Sequence, residues 1–226
     1  CVTLFYEGAV RESFLRFKFS GRDFYADTYG KWMAGTICDK LGTGFDGICW
    51  VPVSKKRRRV RGYDQSELLA RVIAKKLSLP LVPALQKHAE RGPQSQLKDA
   101  AQRRSNASGA FSVLPGADVS GKTLLLIDDI VTTGATLSEC CRVLKDAGAA
   151  RVDCAAFASH VPSSSLWLRR IFLPSRPLNT TRSCCPTVNR SEGWEIRETD
   201  MLSMGIREGS PQPMSTKQPK GSRWVT

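Results

Sequence analysis

The sequence lacks several features that would define whole classes of protein. No stretch reaches the roughly 18 apolar residues of a membrane-spanning helix, and no basic-then-apolar signal segment opens the chain. The eight cysteines include no C-x-x-C pair, so their spacing indicates neither a zinc ribbon nor a dithiol redox motif. The two histidines, His88 and His160, form no catalytic set. These absences predict a soluble, cytoplasmic protein with reduced thiols.

Acidic residues are scarce relative to basic residues. The chain has 34 Lys and Arg against 21 Asp and Glu, a formal net charge of +13. Such an excess favours anionic partners, namely phosphates, nucleotides or nucleic acid, although charge alone says nothing about the fold. The length of 226 residues suits one domain of ordinary size with an appendage.

Patterns typical of strands and helices alternate along the first two thirds of the chain. Strands are predicted at 3–6, 47–53, 79–83, 122–127 and 151–158, and helices at 9–19, 24–41, 66–77 and 134–147. This alternation predicts βαβ units and therefore an α/β fold with a mostly parallel sheet flanked by helices. Ligands of such sheets bind at the carboxyl ends of the strands.

Three regions differ in composition. Residues 1–45 are predicted to be an N-terminal helical segment, residues 46–159 the α/β core, and residues 160–226 an irregular, disordered tail. The tail holds seven of the 12 prolines and no sustained period, and a frame-shifted reading of the gene is the alternative explanation. Because the chain opens on Cys1 rather than Met, we expect that an upstream piece is missing.

Two adjacent carboxylates, Asp128 and Asp129, follow the most hydrophobic predicted strand. Adjacent anions repel, so stability alone does not explain them. Such a pair holds a metal, contacts sugar hydroxyls, or serves a nucleotide hydrolase. The structural alternative is a turn followed by a helix cap, which requires only one acid.

The residues after the acids distinguish these uses. Where the loop turns into the next helix, the sequence reads Thr132, Thr133, Gly134, Ala135 and Thr136. Unpaired backbone N–H groups and the positive end of the helix dipole meet there, and glycine lets the backbone curl around an anion. A phosphate at this loop with sugar hydroxyls on the acids predicts a ribose 5-phosphate ligand.

Two other segments compete for a functional assignment. GADVSGKT at 116–123 matches the P-loop pattern, but its Lys-Thr is predicted to open a strand, whereas a P-loop requires a helix there. The run KKRRRVR at 55–61, predicted to lie in a loop, carries six cations in seven positions. It could contact pyrophosphate or nucleic acid, form a plain solvated face, or act as a localisation signal.

The segment LLLIDDIVTTGAT resembles the phosphoribosyl-pyrophosphate (PRPP) motif of the type I phosphoribosyltransferases. Within that fold the chain resembles the ComF competence-protein family over roughly residues 4–158, through YEGAVRESFLRFKFSG, VPVSKKRRRVRGYDQSELLA and QSQLKDAAQRRSNASGAF. It departs from the family at Asp64, where Asn is usual, and at Ser54, where a second proline is frequent. The family's N-terminal zinc ribbon is absent from this chain.

The resemblance implies a role for each matching position. Asp128 and Asp129 would contact the ribose hydroxyls, and Thr132 to Thr136 would hold the 5-phosphate. Val53, Ser54 and Lys55 would form the pyrophosphate loop, and Gln94, Arg103 and Asn106 a mobile loop over PRPP. Residues 1–45 would be a small hood-like segment. Mg²⁺ would bind through PRPP, with Asp128 and Asp129 as candidate side-chain ligands.

Two functions are compatible with this resemblance. The first is an enzyme that binds PRPP or a nucleotide with Mg²⁺ and transfers a phosphoribosyl group to a nitrogen nucleophile. No general base is evident, so catalysis would depend on positioning and on stabilising the leaving pyrophosphate. The alternative is a non-enzymatic ComF-type role in DNA uptake, with the competence machinery as partner and a basic surface on single-stranded DNA.

Overall fold

The described part of the protein, in a computed structural model, comprises residues 1–88 and 109–160. Its strands are β1 (Val2–Phe5), β2 (Gly47–Trp50), β3 (Leu85–Lys87), β4 (Phe111–Val113), β5 (Thr123–Val131) and β6 (Arg151–Ser159). Its helices are α1 (Gly8–Phe19), α2 (Tyr25–Leu41), α3 (Lys55–Arg61), α4 (Gln65–Leu77) and α5 (Ala135–Asp146). None of these helices has both the length and the apolar character needed to span a bilayer.

A parallel sheet forms the centre of the described residues. Its strand order is β1-β6-β5-β2, and every neighbouring pair is parallel. Alternate side chains of β5 enter two cores, as the period of two along a strand requires. Leu125 and Ile127 pack in the core formed with α1, α2 and α4, and Leu124 and Leu126 pack in the core formed with α5, β3 and β4. The predicted α/β fold with helices flanking a mostly parallel sheet is confirmed.

The N-terminal segment is built into this sheet. Val2 of β1 pairs with Ala156 of β6. In the strand order, β1 stands at one edge of the described sheet. The ring of Phe14 on α1 stacks on Phe157 of β6 at 5.1 Å and on Tyr29 of α2 at 5.7 Å between centroids. Aromatic packing of this kind holds α1 and α2 against the sheet. The boundary at residue 45 stays a prediction.

Strand β5 is longer than the apolar run predicted. It continues to Val131, so Asp128 and Asp129 lie within the strand and the prediction that it ends before them is wrong. The partner strand explains the difference, because β6 pairs with β5 from Arg151 to Ser159. Its backbone hydrogen bonds continue past the acids and outweigh the low strand propensity of aspartate.

The basic run forms helix α3, which corrects the prediction of a loop. The Ser54 hydroxyl accepts a hydrogen bond from the Arg57 N–H at the start of the helix, and Gly62 ends it with φ 83°. Lys and Arg are good helix formers, and cations near the last turn interact favourably with the helix dipole. The run has no apolar period because the helix buries no side chain.

A small antiparallel pair was not predicted from the sequence. β3 pairs with β4, with Leu85 opposite Val113 and Lys87 opposite Phe111. The strand predicted at 79–83 is reduced to one parallel bridge, between Leu81 and Ile48. Both segments are too short for their periodicity to be distinguished from that of a loop.

Candidate functional site

The two predicted carboxylates lie within β5, near its carboxyl end. Asp128 is buried, with 8% of its surface exposed. Its Oδ1 accepts a hydrogen bond from the Asp129 N–H at 2.8 Å and a longer one from the Ser66 hydroxyl at 3.5 Å. Ser66 lies in the first turn of α4, so α4 contributes to this site.

Burial, together with the smaller effect of the neighbouring Asp129 carboxylate, raises the pKa of Asp128 to about 8. The Asp129 N–H and the Lys18 ammonium act in the opposite direction. A carboxyl group with a strongly raised pKa at a strand end is typical of functional sites, because a bound cation or hydrogen-bond donor can supply the stabilisation that the folded protein lacks.

This raised pKa predicts a pH-dependent stability. An unfolded aspartate has a pKa of about 3.9, so between about pH 4 and pH 8 the folded state retains a proton that the unfolded state releases. The contribution of Asp128 to the free energy of unfolding is therefore fully present below about pH 4, and it is lost as the pH rises through about 8. We expect Asp128→Asn to unfold at higher urea than the wild type, by a margin that grows with pH. A margin independent of pH would contradict this.

Asp129 makes a different set of contacts. Its Oδ1 accepts the Ile130 N–H at 2.5 Å, and its Oδ2 lies 2.6 Å from the Lys18 ammonium. Both side chains of this ion pair are largely buried, with 15% of Asp129 and 17% of Lys18 exposed. Arg61 is a second cation near Asp129, since that carboxylate partly opposes the lowering of the Arg61 pKa by burial. Lys18 belongs to no motif of the sequence that predicts a role for it.

The predicted phosphate loop joins β5 to α5. Gly134 has φ 73°, a left-handed conformation that favours glycine, and α5 begins at the next residue. Thr133 Oγ1 accepts a long hydrogen bond from the Ala135 N–H, at 3.4 Å. Thr132, Thr133, Ala135 and Thr136 are each partly exposed. The loop therefore lies at the positive end of a helix with its hydroxyl side chains near the surface.

The base of this loop is tied to the neighbouring strand. The His160 N–H donates to the Val131 carbonyl at 3.2 Å, and the His160 ring lies 4.6 Å from the ring of Tyr6 in an edge-on contact. Sequence reasoning assigned His160 no role, and its spacing gave no signal. The structure places it at the same edge of the sheet as the acids, because β5 and β6 are parallel and in register.

Val53, Ser54 and Lys55 lie between β2 and α3. Because β2 pairs in parallel with β5, its carboxyl end lies at the same edge of the sheet as Asp128. The Val53 N–H donates to Asp64 Oδ2 at 2.8 Å, and Asp64 Oδ1 accepts the Glu67 N–H at 3.2 Å, which caps α4. Both carboxylate oxygens of Asp64 thus accept backbone N–H groups, so an aspartate fits where the family usually has asparagine.

The remaining predicted residues do not belong to the described part. Gln94, Arg103 and Asn106 lie outside the described residues, as does the tail from residue 161. The described chain on either side of 89–108 is held by β3 and β4, and by a hydrogen bond of 2.7 Å from the Gly109 N–H to Glu139 Oε1. The assignment of a mobile loop stays a prediction.

Side chains suitable for a metal are few at this edge. Among the described residues, no three His, Cys, Asp or Glu side chains converge as a metal-binding group. Asp128 and Asp129 could therefore serve only a cation that takes most of its ligands from a bound molecule and water. Mg²⁺ commonly binds in this way, through one or two carboxylates and substrate phosphates.

Comparisons with known proteins agree with the fold. The family described as "Phosphoribosyl transferase domain" matches residues 64–167. Competence protein F of Haemophilus influenzae is 27% identical over 61% of this chain and 62% of its own length. DNA utilization protein YhgH of Escherichia coli K12 is 32% identical over 48% of this chain and 47% of its own length. The chain thus spans between about half and three fifths of these relatives.

A solved structure gives a partial overlap. The match to glutamine PRPP amidotransferase of B. subtilis covers 58% of this chain and 25% of the amidotransferase chain, with 23% identity and a TM-score of 0.41.

The parallel sheet and the domain match together define a protein of the type I phosphoribosyltransferase fold. Within that fold, the chain is similar to the competence-related proteins Competence protein F, YhgH and the Competence protein ComFC of Bacillus subtilis, which is 27% identical over 64% of this chain and 57% of its own length.

Proposed function

We propose that this protein binds PRPP with Mg²⁺ and transfers the phosphoribosyl group to a nitrogen nucleophile. One observation carries the proposal: three chain segments meet at one edge of the sheet. They are the acids of β5, the loop that opens α5, and the loop that follows β2. These segments offer carboxylates for the sugar, a cradle for the phosphate and, after β2, a loop that leads into the cationic helix α3, which are the groups that PRPP requires.

Each part of PRPP has a matching group in this arrangement. The 5-phosphate would lie against the backbone and threonine hydroxyls of 132–136, at the positive end of α5. The ribose hydroxyls would donate hydrogen bonds to Asp128 and Asp129. The pyrophosphate would lie near Val53 to Lys55, where Ser54 caps a helix of six cations and one valine.

Catalysis would depend on positioning and charge. As pyrophosphate leaves the anomeric carbon, negative charge accumulates on its oxygens, and the cations beside the 53–55 loop stabilise that charge. The two carboxylates face the sugar, where positive charge develops. Mg²⁺, when bound, would neutralise part of the pyrophosphate charge. Holding the ribose at both ends aligns the anomeric carbon with the incoming nitrogen.

The proposal is tested by calorimetric titration of PRPP into the protein with and without Mg²⁺, followed by assays of pyrophosphate release with purine and pyrimidine bases and with ammonia. We expect binding that strengthens with Mg²⁺ and release with one of these acceptors. Absence of binding at millimolar PRPP would refute the site, whereas binding without release from any acceptor would refute only the transfer.

A second candidate function, binding of single-stranded DNA in DNA uptake, is favoured by a separate observation. Residues 55–60 of α3 are exposed, and the Arg61 guanidinium lies 5.0 Å from the ring centre of Phe19, of which 67% is exposed. An exposed ring beside a cationic helix suits a stacked base and its phosphates.

The DNA function predicts a specific loss. Replacing Lys56, Arg57 and Arg59 by Gln should weaken binding of an oligothymidine at least about tenfold at low salt, and should reduce the salt slope by roughly 0.7 for each phosphate contact removed. Fluorescence anisotropy measures both. These positions leave intact Lys55 of the pyrophosphate loop and Arg58, which pairs with Glu67 at 3.2 Å.

A matched control removes three exposed cations elsewhere, by Lys31→Gln, Lys75→Gln and Lys76→Gln. An equal loss in both triple variants would show that net charge, and not the surface of α3, determines binding. Retention of wild-type affinity in the α3 variant would exclude α3 as the DNA surface.

A further inference from the structure

The ion pair between Lys18 and Asp129 joins an N-terminal helix to the proposed ribose site. The ammonium lies 2.6 Å from Asp129 Oδ2, with 17% of the lysine side chain exposed. A pair this enclosed differs from the surface pairs of the described residues, such as Lys31 with Asp27, in which 46% of the lysine and 62% of the aspartate are exposed. Exposed ion pairs contribute little to stability, whereas removing one partner of an enclosed pair leaves a buried charge without compensation.

The position of Lys18 is determined by the aromatic core. Its ammonium lies 5.1 Å from the ring centre of Phe14, one turn earlier on α1. Phe14 is fully buried, and its ring stacks on Phe157 of β6. This stacking holds α1 against β6, which is the direct neighbour of the strand that carries Asp129. The Lys18 ammonium therefore has two partners, the Phe14 ring and the Asp129 carboxylate.

Each carboxylate oxygen of Asp129 has one partner, and Lys18 is one of the two. Oδ1 of Asp129 accepts the Ile130 N–H, and Oδ2 faces Lys18. These two contacts orient the carboxylate against the repulsion of the adjacent Asp128. A carboxylate oxygen has more than one lone pair, so Oδ2 can accept a hydroxyl hydrogen bond while it remains paired with the ammonium.

We propose that Lys18 is a positioning residue that holds Asp129 in the orientation needed to accept a ribose hydroxyl. The inference rests on the proposed binding of PRPP. Lys18 acts through Asp129 and makes no contact with the pyrophosphate. It therefore affects every ligand that presents ribose hydroxyls and no ligand that lacks the sugar.

The test measures affinity by calorimetry for three probes: PRPP, ribose 5-phosphate and inorganic pyrophosphate. We expect Lys18→Met to weaken PRPP and ribose 5-phosphate by about tenfold each, the scale of a lost hydrogen bond to a charged group, and to leave pyrophosphate unchanged. Lys18→Arg should retain most of the affinity because it restores the cation. A matched control, Lys31→Met, breaks the exposed pair on α2 and should change none of the three affinities.

A double-mutant cycle separates positioning from other roles. In the Asp129→Asn background, Lys18→Met should cause no further loss of PRPP affinity, because the two residues act as one unit. A further loss of about tenfold, a loss confined to PRPP and pyrophosphate, or no loss in Lys18→Met alone would each overturn the inference.

Different outcomes would refute the positioning role of Lys18 and the binding of PRPP. If the wild type binds neither PRPP nor ribose 5-phosphate, the proposed function fails and the inference fails with it. If the wild type binds both and Lys18→Met binds them equally well, only the inference fails. Circular dichroism of each variant confirms that the comparison is made between folded proteins, and Lys18→Arg provides a second folded variant.

Discussion

At a pH above the Asp128 pKa of about 8, replacing both Asp128 and Asp129 by Asn should weaken PRPP binding at least about 100-fold, since each lost hydrogen bond to a charged acceptor costs about 1.5–3 kcal/mol. The two carboxylates lie near the carboxyl end of β5, beside the loop that opens α5, where sugar hydroxyls would meet them. Asparagine keeps the size of the side chain but presents an amide in place of one oxygen. Calorimetric titration of PRPP with Mg²⁺ measures the loss.

Two exposed aspartates supply the control. Asp118 pairs with Lys122 with 77% of its side chain exposed, and Asp146 pairs with Arg142 with 63% exposed. Asp118→Asn with Asp146→Asn removes the same charge away from the site, so PRPP affinity should stay near that of the wild type. An unchanged affinity in the Asp128 and Asp129 variant would contradict the assignment of the ribose site.

Replacing Phe14 by Ala should lower the free energy of unfolding by about 3–5 kcal/mol, the usual cost of removing a buried phenylalanine ring. Phe14 is fully buried, and its ring contacts Phe157, Tyr29 and Phe17. Removal of the ring would leave a cavity between α1, α2 and the sheet, because all three contribute side chains to one aromatic cluster. Urea unfolding followed by circular dichroism measures the loss.

Phe24 is the matched control for this substitution. It has the same side chain, but 61% of it is exposed. Phe24→Ala should therefore change the free energy of unfolding by less than about 1 kcal/mol. If Phe14→Ala had an equally small effect, the aromatic cluster would not be what holds the N-terminal segment to the sheet.

Much of the fold could be predicted from the sequence because it depends on local patterns. The short apolar run at 122–127 favoured a buried strand and the apolar stripe at 66–77 a helix, and the alternation of such patterns predicted the parallel sheet. The end of β5 could not be predicted, because the pairing with β6 decides it. Helix α3 could have been found from its caps, Ser54 and Gly62, although it has no apolar period.

Part of the candidate site could likewise be predicted from the sequence, and part could not. The amino-acid sequence by itself determined the acids and the threonine-glycine loop, since consecutive residues carry that motif and its chemistry is local. Only the tertiary structure decided that Lys18 meets Asp129 and that Asp64 holds the Val53 N–H. Lys18 and Asp129 lie far apart in the chain, and even Val53 and Asp64 belong to different segments, so the packing of α1 and α4 against the sheet brings each pair together. Local patterns record which residues a segment buries, but the contacts between segments depend on how those buried faces fit.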